Sequence, residues 1–334
     1  MAIETADSSA APEAGQRSAR EMSGRRLPDI GALSIAGILG AILMAGIVLE
    51  ASGQLFWFDV LVRIVILAIA AVSVSFIVAT AGLVSFGHAV FVGIGAYSVG
   101  IAAHHEITNG FAHLAIALGA SAFFAFVTGL LALRTRGIHF IMITMAFSQV
   151  VYYVMIGLTE YGGDDGLTIY DNSEFPLLDL SDRGQLFYVA MAVLAGAILF
   201  YKLLRQSAFG LVLSSARDNE QRVRASGLDP IRHRLIVYVI SAMITSLSGV
   251  LTANLTTFVS PDLMAWTRSG ELLFIVTLGG LGSMIGAIAG SGAFIGLEEV
   301  LSGWTTYWHF HFGLFLIAIT LFRRPIARRL GLDT

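Results

Sequence analysis

Long stretches of this chain carry no Asp, Glu, Lys or Arg, and they constrain the fold more than any motif does. They run from Ile30 to Leu49, Ile64 to His105, Ile107 to Leu133, Gly137 to Thr159, Gly184 to Tyr201, Leu235 to Pro261, Leu272 to Leu297 and Val300 to Phe322. A helix crossing about 30 Å of hydrocarbon needs roughly 20 largely apolar residues, so each stretch can hold a crossing. The second rises about 63 Å as helix and therefore holds two, with a turn near Gly82. Charged residues are only 13% of the 334, which excludes an ordinary soluble globule. Cysteine is absent, so disulfides, thiolate chemistry and Cys-ligated metal centres are excluded; a formal net charge of -3 gives no case for nucleic-acid binding.

Orientation follows from Lys and Arg, which stay on the cytoplasmic side because translocating them is costly. An amino end inside leaves the basic clusters Arg17 to Arg26, Arg134 with Arg136, Lys202 to Arg234 and Arg323 to Arg329 cytoplasmic, and only Arg183 and Arg268 outside. Arg63 follows Asp59 by one helical turn, a spacing that lets the two neutralise each other. Acidic residues gather outside, among them Glu106, Glu160, Asp164, Asp165, Asp171, Glu174, Asp179 and Asp182. Residues 1–28 are rich in Ala, Ser and charge and read as a disordered cytoplasmic tail; residues 29–322 are the transmembrane domain, with a cytoplasmic loop at 205–234, and residues 323–334 are a basic cytoplasmic tail.

The last fifth starts outside near Asp262 and ends inside at Arg323, which requires an odd number of crossings. Three need about 90 Å, and Ser269 to Phe322 supplies about 80 Å as helix. Something there is short or broken, and the place is Thr277 to Gly286, whose glycines can turn the backbone at membrane depth. Two half-helices are expected to meet there, as a re-entrant hairpin or as two shortened crossings. The fold class is an all-α polytopic membrane protein of about eight full transmembrane helices plus this re-entrant or broken pair, roughly eight to ten in all, with both termini cytoplasmic.

A phosphate-cradling loop ending in GKS or GKT is impossible, because the sole lysine, Lys202, lies between Tyr201 and Leu203. No metal site is expected either: His104, His105 and Glu106 read as a solvated helix end. The segment Gly82 to Tyr97 (GLVSFGHAVFVGIGAY) mixes glycines with Ser85 and His88. Small residues there build a tight helix crossing; alternatively the start unwinds and offers backbone dipoles, Ser85 and His88 to a translocation path. Gly280 to Ala287 echoes Gly82 to Ala89 with one insertion, which leaves an internal repeat open. The polar stretch Ser207 to Pro230 offers a short helix from Asp218 to Ala225, stopped by Gly227 and Pro230, either as a basic loop at lipid headgroups or as a docking helix for a soluble partner.

Taken together these pieces resemble the permease subunits of branched-chain amino acid ABC importers, specifically the LivM-like half. The resemblance spans about Leu55 to Phe322 and rests on five collinear segments: Gly82 to Tyr97, Leu133 to Gln149 (LRTRGIHFIMITMAFSQ), Tyr161 to Leu167 (YGGDDGL), Ser207 to Pro230 (SAFGLVLSSARDNEQRVRASGLDP) and Gly279 to Gly290 (GGLGSMIGAIAG). Tyr161 replaces the family's usual Thr, Leu211 its Arg, and Arg222-Val223-Arg224 departs from its Ala-Ala pattern. The resemblance implies a coupling element to the ATPase at Ala216, Arg217, Asp218, Asn219, Glu220, Arg222, Arg224 and Gly227, and the Arg-Val-Arg departure implies a more acidic cleft in the nucleotide-binding partner. Ser85, His88, Thr144, Gln149, Thr277 and Ser283 are the candidates to line the path, each equally readable as an interhelical hydrogen bond. Hinge or packing glycines are Gly82, Gly87, Gly93, Gly95, Gly279, Gly280, Gly282 and Gly286.

The implied activity is alternating-access import of branched-chain amino acids or related small polar or amphipathic solutes in the bacterial inner membrane. The implied partners are a LivH-like permease, two LivG- and LivF-like subunits that hold the ATP and Mg, and a periplasmic solute-binding protein. This chain itself takes no cofactor and is no enzyme. Permeases of the broader family serve urea, amides or aromatic acids, and a secondary transporter driven by an ion gradient is the remote alternative.

Overall fold

The computed structural model describes residues 30–176 and 178–305 and single positions between 307 and 317. The expected tails at 1–28 and 323–334, and most of the last apolar stretch, lie outside the described residues. The chain divides after Met44 into two units. The described part of the first unit is one helix, α1 (Ile30–Ala51), which continues into the second.

In the second unit a helix apolar on every side, α2 (Leu55–Ala81), becomes the central pole, with 78% of its most apolar window buried. After it come α3 (His88–His104), α4 (Gly110–Ala132), α5 (Ile138–Gly157), α6 (Arg183–Gln206) and α9 (Pro230–Thr256); α6 and α9 pack on α2, and α3 and α4 pack on α9. Between α6 and α9 lie two short helices, α7 (Ala208–Asp218) and α8 (Glu220–Ala225); α10 (Trp266–Gly279) and α11 (Met284–Trp304) follow α9. Seven described helices, all but α3, α7, α8 and α10, are long and apolar enough to cross a membrane. The rim helices α4 and α5 expose Phe123, Met142 and Tyr153, which in water would be costly and in lipid is not.

The bundle has two chemically distinct ends. The N-terminal end of α2 shares its level with the acidic loops around residues 105–109 and 158–182, and its C-terminal end with the basic loops around 133–137 and 207–229. At the acidic end β1 (Leu167–Thr168) pairs antiparallel with β4 (Phe258–Val259), and β2 (Glu174–Phe175) forms a hairpin with β3 (Leu178–Asp179). The buried Ser173 hydroxyl lies 2.7 Å from His113 Nδ1 and accepts from Asn254 Nδ2 at 3.1 Å, which ties this loop to α4 and α9.

Helix α2 ends where the sequence placed a turn, at Gly82 with φ +66°. Close crossings also follow the small residues. A β-carbon at Gly95 would overlap the Ser246 carbonyl, and one at Gly249 the Val92 carbonyl, so α3 and α9 meet backbone to backbone.

The expected break near Thr277 to Gly286 is present: α10 stops at Gly279, and Gly280 and Gly282 take φ +98° and +87°. Only one of the two helices is short. With 14 residues α10 is a half-helix, but α11 has 21 and reaches back to the acidic end, so the expectation of two half-helices is corrected on that side. The chain saves length before α10 instead. Val259 lies against Gly100 and Met264 against Gly93, so the segment after α9 descends antiparallel to α3 before α10 begins, and the Ser269 hydroxyl in the first turn of α10 accepts from the Ala89 N–H.

The expected Asp59–Arg63 pairing is also corrected. Asp59 pairs with Arg183 of α6, and Arg63 with Glu298 (3.4 Å) and Glu299 (3.9 Å) of α11. Charges within a bundle have neighbours on several helices, and these outcompete a partner on the same helix.

Candidate functional site: a helix break and its basic platform

Helix α3 begins inside the bundle, and the amides around its start are satisfied by side-chain hydroxyls. Ser85 Oγ accepts from the Gly87 N–H (3.1 Å), Thr144 Oγ1 of α5 from the Phe86 N–H (3.2 Å) and Ser269 Oγ of α10 from the Ala89 N–H (3.0 Å). His88, the first residue of α3, is buried with Nε2 3.1 Å from Ser241 Oγ. Ser241 Oγ in turn lies 2.8 Å from Ser73 Oγ, which lies 3.0 Å from the Tyr201 hydroxyl. This row of side chains joins α3, α9, α2 and α6. Among the described residues no carboxylate hydrogen-bonds to His88, which favours a structural pin over a proton relay.

Ser85, His88 and Thr144 therefore come together at the first break. Thr277 and Ser283 sit apart at the second: Thr277 donates back to the Leu273 carbonyl (2.7 Å), and Ser283 caps α11 by accepting from the Gly286 N–H (3.0 Å). The two breaks share a plan, a glycine at positive φ followed three residues on by a serine whose hydroxyl accepts a nearby backbone N–H, at Gly82 with Ser85 and at Gly280 with Ser283. Gln149 joins neither group, and its Oε1 is buried without a partner among the described residues. Among the glycines, Gly87 packs on the Thr144 backbone, Gly93 on Met264, and Gly279 and Gly286 on each other.

The basic platform is two helices, where the sequence suggested one from Asp218 to Ala225. The extended backbone of Asn219 (φ -153°) breaks it, and the Asn219 side chain restarts the helix by accepting from the Arg222 N–H (3.0 Å). Gly227 at φ +81° closes α8, and Asp229 caps α9.

Glu220 receives Arg136 (2.7 Å) from the loop before α5, Arg224 (2.8 Å) from its own helix and Arg234 (2.9 Å) from α9. Burial pushes its carboxyl up, but Arg234, Arg224 and Arg136 outweigh that and hold it below the usual carboxylate range. Arg234 also donates to the Ala216 carbonyl (3.2 Å), which fastens α7. Arg217 donates to the Ala79 carbonyl in the last turn of α2, and its side chain lies over Gly82. Of the coupling candidates, Ala216 is buried and Arg224 is committed to Glu220, while Asp218 and Arg222 are exposed.

Several contributors were not legible in the sequence. Ser73, Ser241, Tyr201 and Ser269 are ordinary residues whose role comes from distant partners. Arg268 stands in the first turn of α10, bonded to Glu271 (2.9 Å) and Asp262 (3.2 Å), and lines the same cavity as Ala89.

A fold of apolar spans with broken helices and a charged platform at one end defines a polytopic membrane transport component. The chain belongs to the family described as branched-chain amino acid transport system / permease component, whose profile matches residues 56–322. It is similar to the high-affinity branched-chain amino acid transport system permease protein LivM of Salmonella typhimurium, 26% identical over 290 residues covering 79% of this chain and 68% of that one. The LivM of Escherichia coli gives the same identity and coverage. It is also similar to the L-arabinose ABC transporter permease protein AraH of Azospirillum brasilense, 27% identical over 197 residues, 59% of this chain and 56% of that one. No solved structure matches.

Proposed function

We propose that this chain is the LivM-like permease subunit of an ATP-binding cassette importer, moving a branched-chain amino acid or a related small amphipathic solute by alternating access. The observation that carries the reading is the Arg217 bridge from α7 to the last turn of α2, directly over the Gly82 break. A push on the platform reaches the start of α3 through that bridge, without any energy-yielding group in this chain. The basic end is the cytoplasmic one, the termini lie on that side, and the membrane is the bacterial inner membrane. The partners are a LivH-like permease, two ATP-binding subunits that carry the ATP and Mg, and a periplasmic solute-binding protein at the acidic loops.

The coupling surface is the exposed part of α7 and α8. Arg222 is the residue placed to meet an acidic cleft of the ATPase, since Arg224 already holds Glu220. Ser85, His88 and Thr144 border the path at the first break, and Thr277 and Ser283 at the second. The similarity to an arabinose permease supports a path selective by size more than by chemistry, with selectivity held by the binding protein.

Affinity purification of the tagged chain from its native host tests the reading. Two subunits with phosphate-cradling loops should co-purify, and charge reversal of Arg222 to Glu should lower their recovery. A chain isolated with neither subunit would contradict it.

A further inference from the structure

The first turn of α10 lies deep in the membrane. Ser269 bonds to Ala89, and on α3 Ala89 stands roughly 22 Å below the acidic end at His104. The row from His88 through Ser241 to Ser73 puts the same level about 12 Å from the basic end of α2 at Ala81. Both distances place it inside a hydrocarbon layer about 30 Å thick.

The surface there is nevertheless polar. Trp266, Thr267 and Arg268 are exposed, and the segment leading to them turns through a 3-10 helix at Pro261–Met264. The Asp262 and Arg268 side chains are 63% and 44% exposed. Along α10 the open stripe runs from Thr267 past Glu271, four residues on, to Phe274. The rim helices α4 and α5 differ: in mid-span they expose Phe123, Phe126 and Val150. Irregular backbone and charged side chains at membrane depth are tolerated against protein or a water-filled cavity, not against lipid.

Charge decides between those two covers. Arg268 meets two carboxylates, Asp262 (3.2 Å) and Glu271 (2.9 Å). Arg268 and Glu271 line a cavity of about 300 Å³ that also takes Arg63, and Arg63 too meets two, Glu298 (3.4 Å) and Glu299 (3.9 Å). Asp59 and Arg183 cancel each other. Four carboxylates against two guanidiniums leave negative charge in surplus. A protein seated over them would have to desolvate that surplus, which is costly, whereas water leaves it hydrated.

We propose that the Pro261–Met264 segment and the first turn of α10 form a water-exposed wall of the solute path, whose surplus negative charge favours cations and holds back anions. That a path runs along this wall rests on the permease reading; that the wall is wet and negative does not.

The chain has no cysteine, so an introduced thiol is its only one. Thr267→Cys, with Trp266→Cys as a second position on the same turn and Val150→Cys as the lipid-facing control, is produced in the native host. Membrane fragments open on both sides are treated with methanethiosulfonates carrying a trimethylammonium or a sulfonate group, neither of which enters lipid. Remaining thiol is read on the purified tagged chain by a gel shift with polyethylene-glycol maleimide. Thr267→Cys should react with both reagents and Val150→Cys with neither. Normalised to a small free thiol, the cationic reagent should be about fivefold faster at Thr267→Cys in low salt. Adding Glu271→Gln, or Asp262→Asn where that variant does not accumulate, should lower the ratio at least twofold.

Thiols at both positions closed to the two reagents would overturn the proposal: reaction with a lipid-soluble maleimide alone would make lipid the cover, and no reaction at all would make it protein. Equal rates for the two reagents, or a ratio unmoved by the carboxylate variants, would overturn it as well. Repeating the reaction on the complex trapped with ATP and vanadate separates this reading from the permease one. A wet thiol whose rate ignores the trapped state would keep the wall and lose alternating access; a sealed thiol in a complex whose uptake needs ATP would do the opposite.

Discussion

The Arg217 guanidinium donates to the backbone carbonyl of Ala79, so a helix of the basic platform closes the end of the central pole. Cations at helix C-termini satisfy carbonyls that the helix leaves unpaired and oppose the negative end of its dipole. Arg217→Gln keeps a donor but loses the charge. It is expected to lower ATP-driven transport about tenfold, since a charge-assisted hydrogen bond is worth about 1.5–3 kcal/mol. The assembled complex should form in normal yield. Transport and ATPase rates measured on the same purified complex check this: uncoupling lowers the first and spares the second.

Glu220 gives the platform a defined acid sensitivity. Its folded carboxyl sits below the ordinary value of 4.5, so it contributes stability at every pH above that value. The contribution is lost as pH falls through the depressed folded value. Thermal unfolding followed from pH 7 downward should show a steeper decline below about pH 4.5 in the wild type than in Glu220→Gln, whose midpoint is lower at neutral pH and flatter with acid.

The α3–α9 crossing makes a sharper stability prediction. Gly249→Ala drives a β-carbon into the Val92 carbonyl and should cost about 1–3 kcal/mol. Gly119→Ala on α4 meets nothing within 4 Å and should be neutral or slightly stabilising. Melting midpoints of the two variants in one detergent decide it.

The row from His88 through Ser241 and Ser73 to Tyr201 is read as a pin between four helices. Ser73→Ala leaves two hydroxyls short of a buried partner and should cost about 1–3 kcal/mol. His88→Gln should leave the pH profile of transport unchanged. A shifted profile would restore the proton-relay reading.

What the sequence made legible were features written locally. Apolar run length gave the spans, and glycines at 82, 280 and 282 marked both breaks, because only glycine adopts those positive φ values cheaply. What it hid depends on tertiary neighbours. Asp59 and Arg63 look paired on one helix and are claimed by α6 and α11. Arg268 and Glu271 lie between two apolar runs in sequence, yet the antiparallel descent along α3 brings them to the same cavity as Ala89. Asn219 carries a familiar capping side chain, but it stands inside a polar stretch where the helix pattern runs across it without a pause.

The central claim is that this chain is a jointed conduit driven by nucleotide hydrolysis elsewhere. Solute uptake into vesicles holding the purified complex, with and without ATP and with and without an imposed proton or sodium gradient, tests it most directly. The account expects uptake that requires ATP and the ATPase subunits and ignores the gradients. Uptake by the chain alone, driven by an ion gradient, would contradict it.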